Sequence, residues 1–333
     1  MRYIILGAGG IGGAIGGRLA EAGHEVVLVA RGANLAALRE NGLRLAIPER
    51  VIQVHPPVVE HVAELTLTDN DVLLLCVKSQ DTAELLRQIA PLPVGDATAG
   101  EVLPLLCVQN GIGNEREASR LFRHVHGVGL MLQATHLQPG RVSATGTPVT
   151  GVLELGRYPA GVDATDEAIA ADLSGSGFGV FLRPDVMAWK RAKMLGNLGN
   201  ALEAMCGPEA SEEDKPILAE VRARAAAEGR AAFEAAGMSQ ISDEDWNTHQ
   251  KTAGMNRKPV EGQSRSGGST WQSVQRGQGQ VETDYLNGEV VLLGRLHGVQ
   301  TPMNERIQLA MAAFLRSGAE PGSLPASALL PAD

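Results

Sequence analysis

Aromatic residues are scarce in this chain, at 3% of 333 residues, and cysteine is scarcer still, with three. Cys76, Cys107 and Cys206 are widely spaced, and two of them stand in apolar, strand-like runs. That spacing excludes a disulfide framework and a cysteine-based metal set, and it reads as reduced, buried thiols of a cytoplasmic protein. Among eight histidines only His124 and His126 form a close pair, without the cysteine or acidic partners of a zinc set. No metal is expected. Long hydrophobic runs are missing too. Runs such as Val72 to Val77 are far too short to cross a bilayer, so no membrane is expected. Positive charge is in deficit. A net charge of −9 argues against nucleic acid or an anionic membrane surface as a general partner.

Glycine, by contrast, is abundant, with 40 residues, and the start of the chain shows one use for it. Arg2-Tyr3-Ile4-Ile5-Leu6 reads as a strand, Gly7-Ala8-Gly9-Gly10-Ile11-Gly12 as a turn, and the small residues to Ala22 as a helix. A second strand, Glu25-Val26-Val27-Leu28-Val29, ends at Ala30-Arg31. The glycines fit G-x-G-x-x-G between strand and helix, the dinucleotide fingerprint. Gly7 would allow the tight turn, Gly9 the approach of a pyrophosphate to the backbone, and Gly12 close helix–sheet packing. The helix N-terminus adds partial positive charge and unbonded N–H groups. Gly7, Ala8, Gly9, Gly10, Ile11 and Gly12 are therefore the candidate cofactor loop, against the alternative of a glycine-rich turn in an ordinary α/β unit.

One further absence is more telling. NAD sites place Asp or Glu about twenty residues beyond the glycines, on the ribose 2′-hydroxyl. Here no acid occurs between Val26 and Leu38, and Arg31 occupies the place. A guanidinium suits a 2′-phosphate, so the expected cofactor is NADP(H); the alternative is a solvated loop arginine.

A helix is expected at 33–41, then strand-like segments through Val59. The continuous apolar run from Asp71 to Val77 reads as a strand buried on both faces of a parallel sheet. It ends in Lys78-Ser79-Gln80-Asp81-Thr82, and a helix follows to Ile89. A second buried strand, Val102 to Val108, runs into Gln109-Asn110-Gly111-Ile112-Gly113. Strands alternating with helices imply a right-handed parallel sheet that binds ligands at its carboxyl edge, where Lys78, Asn110 and the glycine loop would converge. Further strands are expected at 126–138, 148–155 and 179–183, with a helix at 164–173 capped by Thr165. From Pro184 onward the pattern is long helices without clear strands: 185–205, 214–236, 280–297 and 303–316. The expected domains are a Rossmann-like unit at 1–183 and a helical unit at 184–333, with 318–333 a loose tail. The polar stretch 254–280 sets Arg257, Lys258, Arg265 and Arg276 against Glu261, and reads as a basic lid or an insert.

Within the helical half, Lys193, Asn197 and Asn200 are spaced i, i+4, i+7 and project from one helix face. Gly196 and Gly199 interrupt the same apolar helix, at roughly 1 kcal/mol each relative to alanine. An ammonium with two amides can bind and polarise an oxygen-rich substrate; a partly exposed polar face is the plainer explanation. Lys190 is a rival to Lys193 on this stretch. Glu282 opens a later helix, where the helix dipole by itself favours a carboxylate.

Taken in order, the glycine loop, Arg31, Lys78, Asn110-Gly111-x-Gly113, the Lys193/Asn197 helix, Glu282-x-Asp284-Tyr285-x-Asn287-Gly288 and Gly298-Val299-x-Thr301-Pro302-x-Asn304 resemble the ketopantoate reductase (2-dehydropantoate 2-reductase) family over roughly residues 1–316. The resemblance implies a Rossmann domain followed by an all-α domain like that of 6-phosphogluconate dehydrogenase. It also implies NADPH-dependent reduction of a small-molecule 2-keto acid, and a homodimer through the helical domain. It makes Lys193 and Glu282 catalytic, Asn197, Asn200 and Thr270 substrate ligands, and Asn110 a neighbour of cofactor and substrate. Lys78 and Glu282 would also contact the cofactor. The chain departs from the family pattern in three places. Ala201 stands where the second asparagine falls, Asn200 being one position early. Thr270 replaces a serine, and 271–281 differs in sequence. These departures bear on which keto acid is taken, so a paralogue acting on another keto acid or ketone is the alternative. A non-catalytic NADPH-binding sensor is the alternative of a different class.

Overall fold

The computed structural model describes residues 1–260, 267–277 and 279–330. Glu261, Arg265 and Gln278 of the expected lid lie outside them. The chain divides into two compact units, one of Met1–Lys190 with Ser242–Ser264, the other of Arg191–Ile241 with Arg265–Asp333. The segment Ser242–Ser264 thus belongs with the sheet, although its sequence alone groups it with the helices.

The first unit is built on an eight-stranded sheet. Its order is Gly179–Leu182, Val152–Arg157, His124–Met131, Pro104–Cys107, Asp71–Leu75, Arg2–Leu6, Glu25–Val29, Val58–Val59. Every neighbouring pair is parallel except His124–Met131 with Val152–Arg157. The first strand is central, with Ile4 opposite Val27 on one side and Leu73 on the other. Strand order therefore reverses beside Arg2–Leu6, and the crevice for a ligand opens at the carboxyl ends there. The apolar runs are continuous because helices or a second sheet cover both faces. Tyr3, Ile5, Leu28 and Leu74 belong to one core, and Ile4, Leu6, Leu73 and Leu75 to the other.

The helix Gly10–Glu21 packs between two sheets, which explains its many small residues. Added methyl groups at Gly12 and Gly16 would meet Ile5 and Leu28 of the main sheet at 2.8 and 2.9 Å. At Gly13 and Gly17 they would meet Val142 and Leu45 at 2.7 and 3.1 Å. Those last two belong to a four-stranded sheet in the order Ala134–Gln138, Arg141–Ala144, Leu43–Ile47, Arg50–Val54.

Several boundaries differ from expectation. The strand expected at 102–108 is Pro104–Cys107, preceded by a short helix at Ala99–Val102. The helix Ala164–Gly175 is capped by Asp163 rather than Thr165: the Asp163 carboxylate accepts from the N–H groups of Thr165 and Asp166. An ionised cap is also favoured by the helix dipole. The second half is not free of strands, since Met255–Arg257 pairs antiparallel with Gly146–Pro148. This strand follows the helix Asp243–Thr252, whose His249 is buried against Glu154 of the main sheet. Glu154 also accepts from Arg183 at 2.6 Å.

The second unit is helical among the described residues. Asp214–Ala235, Thr283–His297 and Pro302–Ser317 pack together, and Asn200–Cys206 packs on Ser269–Gln275. The segment expected as a loose tail is tied down as far as Leu330. Gly322 and Leu324 donate backbone bonds to Ala204 and Met205, and Ala326 and Leu329 are fully buried. No helix among the described residues is long and apolar enough to cross a membrane.

Candidate functional site

The glycine loop has the geometry its sequence asks for. Gly7 has φ +104°, and a side chain there would press within 2.9 Å of Val77. A methyl on Gly12 would overlap the Gly7 carbonyl. Gly9 is the opposite case, since a methyl there would meet nothing within 4 Å. Gly7 and Gly12 are thus glycine because the protein leaves no room, whereas Gly9 borders open space at the first turn of Gly10–Glu21. A site for a dinucleotide pyrophosphate needs that combination: a closed turn, a tightly packed helix and one bare approach to backbone N–H groups. Ala8 and Ile11 complete the loop, and a methyl added at Gly10 would lie 3.4 Å from the Ala134 carbonyl. Arg31 is exposed at the end of Glu25–Val29, where it precedes the helix Gly32–Asn41.

Lys78 and Asn110 follow neighbouring parallel strands and are both half-buried. A buried amide network ties their loops together. Gln109 donates to the Val77 carbonyl and to Thr82, Thr82 donates to Asn114 at 2.9 Å, and Asn114 donates to Ser79 and to the Asn110 carbonyl. Sequence reading missed these partners because every bond but that from Asn114 to Asn110 spans 27 to 35 residues. Beneath the network Lys190, 3% exposed, donates to the carbonyls of Cys107 and Gln109 and pairs with the fully buried Glu115. All three of these partners of Lys190 lie within the first unit. Burial, and then the Glu115 charge, push the Cys107 thiol well up, and burial alone raises Cys76.

In the second unit the expected stripe is only partly realised. Lys193 and Asn197 share the helix Val186–Asn197, but that helix stops there and Asn200 opens a new one, Asn200–Cys206. The i, i+4 relation stands and the i+7 relation does not. The break has an identifiable partner, because the Leu198 carbonyl freed by it accepts from the Asn287 amide at 3.1 Å. Asn287 also donates to Asn304, which in turn donates to Glu228 and to the Ala225 carbonyl. Two motif asparagines therefore serve the helix junction. Lys193, Asn197 and Asn200 are half-buried and Gly196 is exposed beside open space. The Asn197 amide nitrogen is buried without a hydrogen-bond partner among the described residues. Such a group is costly unless something else bonds to it. Thr270 is buried in Ser269–Gln275, and Glu282, 5% exposed, sits at the start of Thr283–His297.

Comparison with known proteins finds relatives over most of the chain. Residues 3–160 match the family model described as ketopantoate reductase PanE/ApbA, and residues 185–314 match that of its C-terminal part. A 2-dehydropantoate 2-reductase of Halobacterium salinarum is 29% identical over 318 residues, covering 91% of this chain and 95% of that one. A PanE/ApbA family ketopantoate reductase from Ralstonia eutropha is similar at a TM-score of 0.76 and 25% identity, with 96% and 99% of the two chains covered. D-mandelate dehydrogenase, solved with NADH and anilino(oxo)acetate, shares the fold at a TM-score of 0.75 and 21% identity, with 96% and 99% covered.

Proposed function

The chain belongs to the ketopantoate reductase family of oxidoreductases, and from that premise we propose that it uses NADPH to reduce a small 2-keto acid, ketopantoate to pantoate foremost. The observation that carries the reading is the unbonded, buried amide of Asn197 one helical turn from Lys193.

In this proposal the Gly7–Gly12 loop and the helix behind it take the pyrophosphate, and Arg31 pairs with the 2′-phosphate. Lys78 adds positive charge, and Asn110 and Glu282 bond to polar groups of cofactor and substrate. Bound NADPH supplies a hydride to the keto carbon. Lys193, as an ammonium, donates a hydrogen bond and then a proton to the carbonyl oxygen as negative charge develops on it. Asn197 donates to substrate oxygen, which satisfies its buried nitrogen. Asn200 and Thr270 belong to two helices packed on each other, and they are assigned to the part of the acid remote from the keto group. Because the family pattern changes around Thr270, a paralogue acting on another 2-keto acid is the second reading.

Lys193→Ala is expected to lower turnover by about 10²–10⁴-fold, the usual worth of a positioned acid, while NADPH binds with unchanged affinity. Turnover within a few-fold of wild type would remove Lys193 from the mechanism.

A further inference from the structure

We infer that Asn34 is a positioning residue for the cofactor loop, acting by fixing the orientation of one peptide plane in it. This rests on the dinucleotide reading of the glycine loop and goes beyond it. Asn34 lies in the first turn of Gly32–Asn41, three residues after Arg31. Its amide nitrogen donates to the Ala8 carbonyl at 2.9 Å. Its amide oxygen accepts from the Gly140 N–H at 2.8 Å and lies 3.2 Å from the His136 ring nitrogen. The Gly7 and Ala8 N–H groups are held as well, both on the Val29 carbonyl at 3.3 and 3.0 Å.

Peptide planarity turns this grip into function. The Ala8 carbonyl and the Gly9 N–H belong to the same trans peptide unit and point in opposite directions. Holding the carbonyl on Asn34 therefore turns the Gly9 N–H away from it, at the residue whose flank is open. A loop free to rotate about this unit could turn a carbonyl oxygen, rather than an N–H, toward the phosphates. Asn34 is suited to the task because one side chain both donates to the loop and accepts from the Gly140 turn. That turn has φ +71° at Gly140, and a methyl added there would come within 3.3 Å of Ala37, so the turn sits close against the helix that carries Asn34. The contact is to the loop that would hold pyrophosphate, which NADPH and NADH share. Arg31 concerns the 2′-phosphate, which only NADPH carries.

The test is a fluorescence titration of NADPH and NADH binding to wild type, Asn34→Ala, Asn34→Asp and Arg31→Ala, with melting temperatures recorded alongside. It is run at high ionic strength, so that the added aspartate charge is screened. Asn34→Ala is expected to weaken both cofactors by the same factor, roughly five- to tenfold, as for the loss of one orienting hydrogen bond. Asn34→Asp keeps both acceptor contacts to the Gly140 turn but lacks the donor to Ala8. It is expected to lose at least as much affinity while melting near wild type. Wild-type affinity in Asn34→Asp would reduce Asn34 to a prop for the turn and overturn the proposal, as would unchanged binding in a folded Asn34→Ala. Arg31→Ala separates the two ideas. A selective loss of NADPH supports the 2′-phosphate reading, and an equal loss of both cofactors contradicts that reading without touching the result at Asn34.

Discussion

Lys190 and Lys193 lie one turn apart on the same helix, and in the sequence only the asparagine four residues after Lys193 favours it over Lys190. Their environments differ more plainly. Lys190 is buried, bonded to two backbone carbonyls and paired with Glu115, while Lys193 is half-buried one turn from the unbonded Asn197 amide. The difference was illegible in the sequence because Glu115 and the Cys107 and Gln109 carbonyls reach Lys190 from a loop some 75 to 83 residues away. Removing one partner of a buried pair leaves the other charge uncompensated, which typically costs about 3–5 kcal/mol. Lys190→Met should therefore lower the urea-unfolding free energy by that order. A variant of full stability and no turnover would instead give Lys190 a chemical role.

Among the elements, the glycine loop was the most legible, because spacing alone marks its glycines, and at Gly7 and Gly12 that spacing records a local steric demand. The helix junction at Leu198–Gly199 was not, since it depends on Asn287 taking a freed carbonyl from 89 residues away. The strand Met255–Arg257 escaped notice because three residues carry no period. The contrast between Gly9 and Gly12 makes the loop testable without substrate. Gly12→Ala would push a methyl into Ile5 and the Gly7 carbonyl, so it should cost at least about 1–3 kcal/mol of stability. Gly9→Ala, at φ −83° beside open space, should melt with wild type yet bind NADPH at least about tenfold more weakly. Equal melting losses in the two variants would contradict the assignment of Gly9 to ligand approach.

Across the whole molecule the residues proposed for the chemistry fall in both units of the chain. The first carries the glycine loop, Arg31, Lys78 and Asn110, and the second carries Lys193, Asn197, Asn200, Thr270 and Glu282. The parallel sheet, with its carboxyl edge as the ligand side, and the long helices of the second half could be read from apolar runs and their spacing. The return of Ser242–Ser264 to the first unit could not, because it depends on His249 meeting Glu154 of the sheet, 95 residues away. What the chain does with its cofactor is the central claim, and it is tested most directly by initial rates of NADPH oxidation with ketopantoate beside a panel of other 2-keto acids. The account predicts that a 2-keto acid drives NADPH consumption, ketopantoate fastest, with NADH a poorer donor. Tight NADPH binding with no consumption on any keto acid would contradict it and leave a cofactor-binding protein without this reaction.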